Sequence, residues 1–127
     1  MKKNSDLIEQ EIEVTQHGGT ETPFQNAYWN NHKKGEYRCK VCSTLLFLSD
    51  TKLDSSQGPV GLRGWPAFDT ALPNVVTFKD DMELGYKRLE ALCAHCGAHL
   101  GHLFDDDETS TGKHYCINSC SLEFEEK

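Results

Sequence analysis

Two C-x-x-C pairs, Cys39-Lys40-Val41-Cys42 and Cys93-Ala94-His95-Cys96, constrain this chain more than any other feature. Two residues between cysteines let both thiolates point inward from one tight turn, offering half of a tetrahedral sulfur shell. Two such knuckles complete a four-cysteine site. The spacing therefore predicts one structural zinc held by Cys39, Cys42, Cys93 and Cys96. The pairs are separated by Ser43 to Leu92, a longer span than in a compact zinc finger, so the metal would tie distant strands together. A closed four-sulfur shell leaves no open coordination position, which makes the zinc structural rather than catalytic. His95 lies inside a knuckle and reads as a neighbouring or surface residue, not a ligand. A redox dithiol is the competing reading of one C-x-x-C, but two pairs without a thioredoxin-like βαβ pattern weaken it.

The chain is 127 residues long, which fits one domain with a modest core that a metal would help to stabilise. Its formal net charge of −7 makes it a poor phosphate-tracking nucleic-acid binder or membrane-surface module. No stretch has the length of a transmembrane helix, and "MKKNSDLIEQEIEV" has no apolar run behind its lysines, as a signal peptide would. A cytoplasmic protein is expected. Six cysteines in that setting point to metal or catalysis rather than a disulfide framework.

Residues 1–19 are polar and read as a flexible lead-in, with a single domain over 20–127. "TETPFQNAYWNNHKKGEY" has the signs of a short helix: Thr20 or Thr22 as cap, Pro23 in the first turn and Gly35 as stop. Its Phe24, Tyr28 and Trp29 would then share a face turned to the core. Beyond Gly35 the pattern changes to short strands. They lie around the first knuckle, in "NVVTFKDD", "YKRLEALC", "HLGHLFDDD" and "KHYCINSCSLEFE", with turns at "DMELG" and "DETSTG". "SSQGPVGLRGWPAFD" is a Gly/Pro-rich loop. The class is β-rich with one or two short helices.

Four zinc ligands leave Cys116 and Cys120 over. A nucleophilic cysteine needs donors or positive charge nearby to favour thiolate. "AHLGHLFDDD" offers His99 and His102, whose i, i+3 spacing on a strand would place them on opposite faces unless Gly101 marks a bend. Asp105 or Asp106 could orient one imidazole. His-x-x-His is also a metal pattern. Trp65, after a glycine loop and before a proline, reads on its own as an aromatic core plug.

Taken in order, "TETPFQNAYW", "GEYRCKVCSTLLFLSDTKLDS", "GWPAF", "CAHCGAHLGHLFDD" and "TGKHYCINSCSLEF" resemble the methionine-R-sulfoxide reductases of type B over residues 20–124. The resemblance implies two antiparallel sheets (a β-tent) with short N-terminal helices, a structural four-cysteine zinc away from the active site, and thiol-dependent reduction of methionine-R-sulfoxide. It implies Cys116 as catalytic cysteine. It sets His99, His102 and Asn118 around the sulfoxide and makes Asp106 a supporting carboxylate. Trp65 would face the substrate's methyl group, with Phe124 and His114 beside it. A monomer is expected, reduced by thioredoxin, glutaredoxin or a small thiol, with no nucleic acid and no membrane partner.

Three departures from the family pattern stand out. The loop before Trp65 is long and holds no resolving cysteine. Cys120 stands where a small residue is usual. His114 stands where arginine is usual, which would make thiolate formation at Cys116 more pH-dependent. In an extended strand Cys116 and Cys120 would lie about 13 Å apart, beyond the roughly 7 Å a disulfide allows. Cys120 is therefore expected to be a buried small side chain rather than a resolving residue. Two other functions are compatible with parts of the pattern: a zinc-binding interaction module without chemistry, and a Cys/His hydrolase. The hydrolase would need an oxyanion hole, which the sequence does not mark.

Overall fold

The strand segments form two antiparallel sheets in the computed structural model, which describes residues 1–127. In chain order they are α1 (Glu9–His17), β1 (Gly35–Cys39), β2 (Leu45–Leu48), β3 (Ala67–Phe68), β4 (Val76–Asp81), β5 (Arg88–Cys93), β6 (His99–Asp105), β7 (Lys113–Ile117) and β8 (Leu122–Glu126). The smaller sheet has the order β2-β1-β8 and the larger β3-β7-β6-β5-β4. This is the expected mainly-β, two-sheet class. No helix is long and apolar enough to cross a membrane.

The core lies where the inner faces of the two sheets meet. Tyr37, Leu46 and Phe47 from the small sheet and Phe68, Ala91, Leu100 and Ile117 from the large one are fully buried. Phe47 stacks on Phe68 with ring centroids 4.3 Å apart, and Tyr37 meets Phe68 edge-on at 5.1 Å. Aromatic contacts of this kind add about 0.5–1.5 kcal/mol each beyond area burial. They set how the sheets sit on one another.

Two stretches differ from the sequence reading. Residues 1–19, read as a flexible lead-in, contain α1. Its first turn closes when Glu11 accepts the Ile8 N–H at 3.1 Å, and Leu7 and Val14 are buried. Residues 20–34 form turns and bends rather than the expected helix. Their backbone donors find partners elsewhere in the fold. The Phe24 N–H donates to the Gly64 carbonyl at 2.8 Å and the Tyr28 N–H to the Ser119 hydroxyl at 3.0 Å. Phe24 itself has φ 63, outside the helical region. Tertiary partners here outweigh local propensity. Tyr28 packs against Tyr37 and Phe124 as a core aromatic, while Phe24 and Trp29 pair with each other.

One irregularity positions the site. β5 and β6 pair Ala91 with Gly101 but Leu92 with His99, so Leu100 is an extra residue in β6. A bulge of one residue reverses the alternation of faces. It turns Leu100 into the core and brings His99 to the face that carries His102, with ring centroids 5.6 Å apart. The expected bend is thus a bulge next to the glycine.

Candidate active site and metal centre

The four knuckle cysteines come together as the spacing predicts. Cys39 and Cys42 flank the β1–β2 connection, Cys93 and Cys96 the β5–β6 connection, and their sulfurs lie within 4.8 Å of one another. Both knuckles close in the same way. The Ser43 N–H reaches the Cys39 carbonyl at 2.9 Å, and the Gly97 N–H reaches the Cys93 carbonyl at 2.8 Å. Gly97 holds φ 79, a conformation that favours glycine. The cluster is a possible metal site linking the small sheet to the large one.

Cys116 sits mid-strand in β7, between Ala67 of β3 and His102 of β6 as its directly opposed neighbours. Directly opposed residues share a face and bring their Cβ atoms within about 5 Å. The close approach of β6 to β7 depends on Gly101, since a Cβ there would stand 2.0 Å from the Cys116 carbonyl oxygen. Cys116 lines a cavity of about 80 Å³ together with Trp65, Arg88, His102, Phe104 and Asn118. That volume accommodates on the order of five water-sized bodies, enough for a methyl sulfoxide group. It opens into a cleft of about 520 Å³ rimmed by Val60, Leu62, Leu84 and Tyr86.

The polar residues of this face form an ordered chain. His102 Nε2 lies 2.8 Å from Asp81 Oδ2, which also accepts from the Arg88 guanidinium at 2.9 Å. The Asp81 carboxyl is held near 2 by the Glu83 backbone N–H, His102 and Arg88, so it is ionised and can only accept. His102 therefore carries its proton on Nε2 and leaves Nδ1 as a lone pair. Burial pushes the His102 pKa down despite Asp81, so the ring is neutral at pH 7. His99 Nδ1 lies 2.7 Å from Glu90 Oε2, and its buried Nε2 has no protein partner.

The thiol of Cys116 is pushed up to about 12, first by burial and then by the Glu21 charge, with Arg88 opposing. Burial wins over the nearby cation, so Cys116 rests as a thiol at neutral pH.

Asn118 follows β7 and is fixed from both sides. Its side-chain amide donates to the Leu100 carbonyl at 3.2 Å, and its Oδ1 accepts the Glu21 N–H at 3.1 Å. Glu21 also takes the Trp65 indole N–H on its carbonyl at 2.9 Å. Its carboxylate accepts the N–H groups of Ser119 at 2.6 Å and Cys120 at 2.9 Å. Glu21 thus couples the Trp65 ring to the segment just after Cys116.

The remaining expected site residues lie elsewhere. Asp106 and His114 form a buried pair, Oδ2 to Nδ1 at 3.0 Å, that does not line the cavity. Phe124 lies on β8 in the other sheet, 4.8 Å from the Tyr37 ring, and does not line the cavity either. Cys120 is not on an extended strand. β7 stops at Ile117 and a 3₁₀ turn, Ser119–Ser121, follows. Cys120 lines a separate cleft of about 480 Å³ with Ile8, Phe24, Tyr28 and Lys40. The two spare thiols open into different cavities.

Sequence reasoning missed Arg88, Glu90, Asp81 and Glu21. Arg88 and Glu90 carried a usable signal. Charges two apart on a predicted strand share a face, and that face needed a partner. Glu21 carried none, because its role comes from chain crossings with residues 65 and 118–120.

Residues 7–126 match the SelR domain. The chain belongs to the type B methionine-R-sulfoxide reductase family. It is similar to methionine-R-sulfoxide reductase B3, mitochondrial, of Mus musculus, with 49% identity over 87% of this chain, and spans 42% of the mouse protein's length. Against the peptide methionine sulfoxide reductase MsrB of Herminiimonas arsenicoxydans it is 47% identical, covering 94% of this chain and 83% of that protein. Against the MsrB of Pasteurella multocida it is 43% identical, covering 99% and 93%. The oxidoreductase family and the two-sheet fold with its clustered cysteines agree with the sequence reading.

Proposed function

We propose that this reductase works through Cys116 as the sole nucleophile, with His102 as proton carrier and Trp65 as the wall for the S-methyl group. The observation that carries this reading is Cys116 on the floor of a small cavity, directly opposite His102. The sulfoxide sulfur bears partial positive charge. Its arrival favours thiolate at Cys116 more than the empty cavity does. The thiol proton passes to the free Nδ1 of His102 and then to the sulfoxide oxygen as the S–O bond breaks. The Cys116 sulfur forms an S–O bond, methionine leaves, and Cys116 becomes a sulfenic acid. One thiol then gives a mixed disulfide and water, and a second restores the Cys116 thiol and leaves an oxidised disulfide. Thioredoxin, glutaredoxin or a small thiol can fill that role. Asn118 lines the cavity beside His102, whereas His99, expected around the sulfoxide, lies outside it and, held by Glu90, steadies the His102 ring from behind. His114 and Asp106 brace the β6–β7 pair from outside the cavity.

Zinc fits the four-cysteine cluster. A tetrahedral site with Zn–S near 2.3 Å requires sulfurs about 3.8 Å apart. The Cys39–Cys96 and Cys42–Cys93 pairs stand at 3.7 and 3.6 Å. These four thiolates would hold zinc with no open position, giving it a structural task. A reducing, cytoplasmic setting suits a chain whose six cysteines are all free.

A single turnover tests the reading. Reduced protein is mixed with methionine-R-sulfoxide without reductant, and released methionine is read together with intact mass. One methionine and one added oxygen are expected, with both lost in Cys116→Ser and both kept in Cys120→Ser. A loss of two hydrogens instead would show that Cys120 closes a disulfide. No methionine at all would return the chain to a zinc-binding interaction module.

A further inference from the structure

The cavity needs a positive group where the sulfoxide oxygen gathers negative charge, and one cation meets that need. His114, in the usual arginine position, is paired with Asp106 and does not line the cavity. Arg88 enters the same cavity from β5, two strands away from Cys116. One terminal nitrogen of its guanidinium is anchored on Asp81, and its Nε–H is buried with no partner. A buried donor without a partner carries a desolvation penalty that a ligand oxygen can remove. Asp81 also fixes His102, so one carboxylate aligns both the proton carrier and the cation.

We propose that Arg88 is a catalytic residue that binds the sulfoxide oxygen and stabilises the charge developing on it as the S–O bond breaks. The inference rests on Cys116 being the nucleophile of this reaction. No proton leaves Arg88, because a guanidinium stays charged; the proton still travels from Cys116 through His102. Arg88 supplies a directed donor and a fixed charge, as an oxyanion hole does. The same residue reaches the mouth of the cavity, where it can meet the oxygen as the substrate enters.

The test is the single-turnover rate of methionine release at saturating and at limiting sulfoxide, in wild type, Arg88→Met and Arg88→Lys. Retained thermal unfolding and metal content serve as the folding check. Arg88→Met should release methionine about 100-fold more slowly at saturation, as when one oxyanion-hole donor is lost. Added ethylguanidinium should restore part of that rate. Arg88→Lys should fall between the two, because it keeps charge without the fork; it also serves if Arg88→Met does not fold. A release rate in Arg88→Met within about threefold of wild type would overturn the proposal. So would an equal loss in both variants with no rescue, because that marks a packing role. Wild type releasing no methionine would remove the reaction itself. Wild type and Arg88→Met both reacting fast removes only the role of Arg88.

Discussion

Replacing Gly101 by alanine should damage the fold and the reaction together. The added methyl would sit 2.0 Å from the Cys116 carbonyl oxygen, 2.9 Å from Ile117 Cα and 3.0 Å from the Cys116 carbonyl carbon. All three are backbone atoms, so no side chain can swing aside. Carbon–oxygen contacts settle near 3.3 Å or more, so β6 and β7 must part by more than about 1 Å. Overpacking of this kind costs about 1–3 kcal/mol, and each ladder hydrogen bond broken adds about 1 kcal/mol. A total near 3 kcal/mol is a large share of the 5–15 kcal/mol that a domain holds. It should lower Tm by about 10–15 °C. The same displacement moves His102 away from Cys116, and a 1 Å misplacement costs about 100-fold in rate. Thermal unfolding followed by tryptophan fluorescence gives the first quantity, and single-turnover methionine release gives the second. A Gly101→Ala protein that melts within about 2 °C of wild type and releases methionine at the same rate would refute the close-approach reasoning.

Removing the metal with a strong chelator, or substituting Cys39→Ser, should lower Tm and loosen the contact between the sheets. A metal at 1,000 times its Kd stabilises the fold by about 4 kcal/mol; equal melting curves with and without bound metal would contradict a structural role. Asp81 titrates near 2 in the folded chain, below its ordinary value of 3.8. Its stabilising share is full above about pH 4 and disappears as pH falls through 2. Asp81→Asn should therefore lose less stability than wild type between pH 4.5 and 2, as measured by urea midpoints. Glu21→Ala leaves the buried Ser119 N–H and the half-buried Cys120 N–H without their acceptor, which should cost about 1–3 kcal/mol. Methionine release should slow as well, and a variant with unchanged rate and midpoint would mean that water replaces the carboxylate.

Much of this protein was legible in its sequence, for a physical reason. Chemistry that depends on residue type and short spacing survives in one dimension. The two thiolates of each C-x-x-C turn converge by local geometry, and a four-sulfur shell needs both turns, so Cys39, Cys42, Cys93 and Cys96 were readable as a set. Runs of strand formers between turn signals made β4, β5 and β6 readable, while the single run read from Lys113 onward divides into β7, a 3₁₀ turn and β8. The turns over residues 20–34 were not readable. Their hydrogen bonds go to Gly64 and Ser119, and no local pattern encodes those partners. The tertiary structure alone decided that one extra residue in β6 turns His99 toward His102. It also placed Cys116 and Cys120 in different cavities, paired His114 with Asp106 outside the lining of the Cys116 cavity, and brought Arg88 across two strands into that cavity. Each of these depends on which strands lie side by side and in which register. A shift of one residue sends every side chain of a strand to the other face. Residue type set what the site can do, and register set which residues do it.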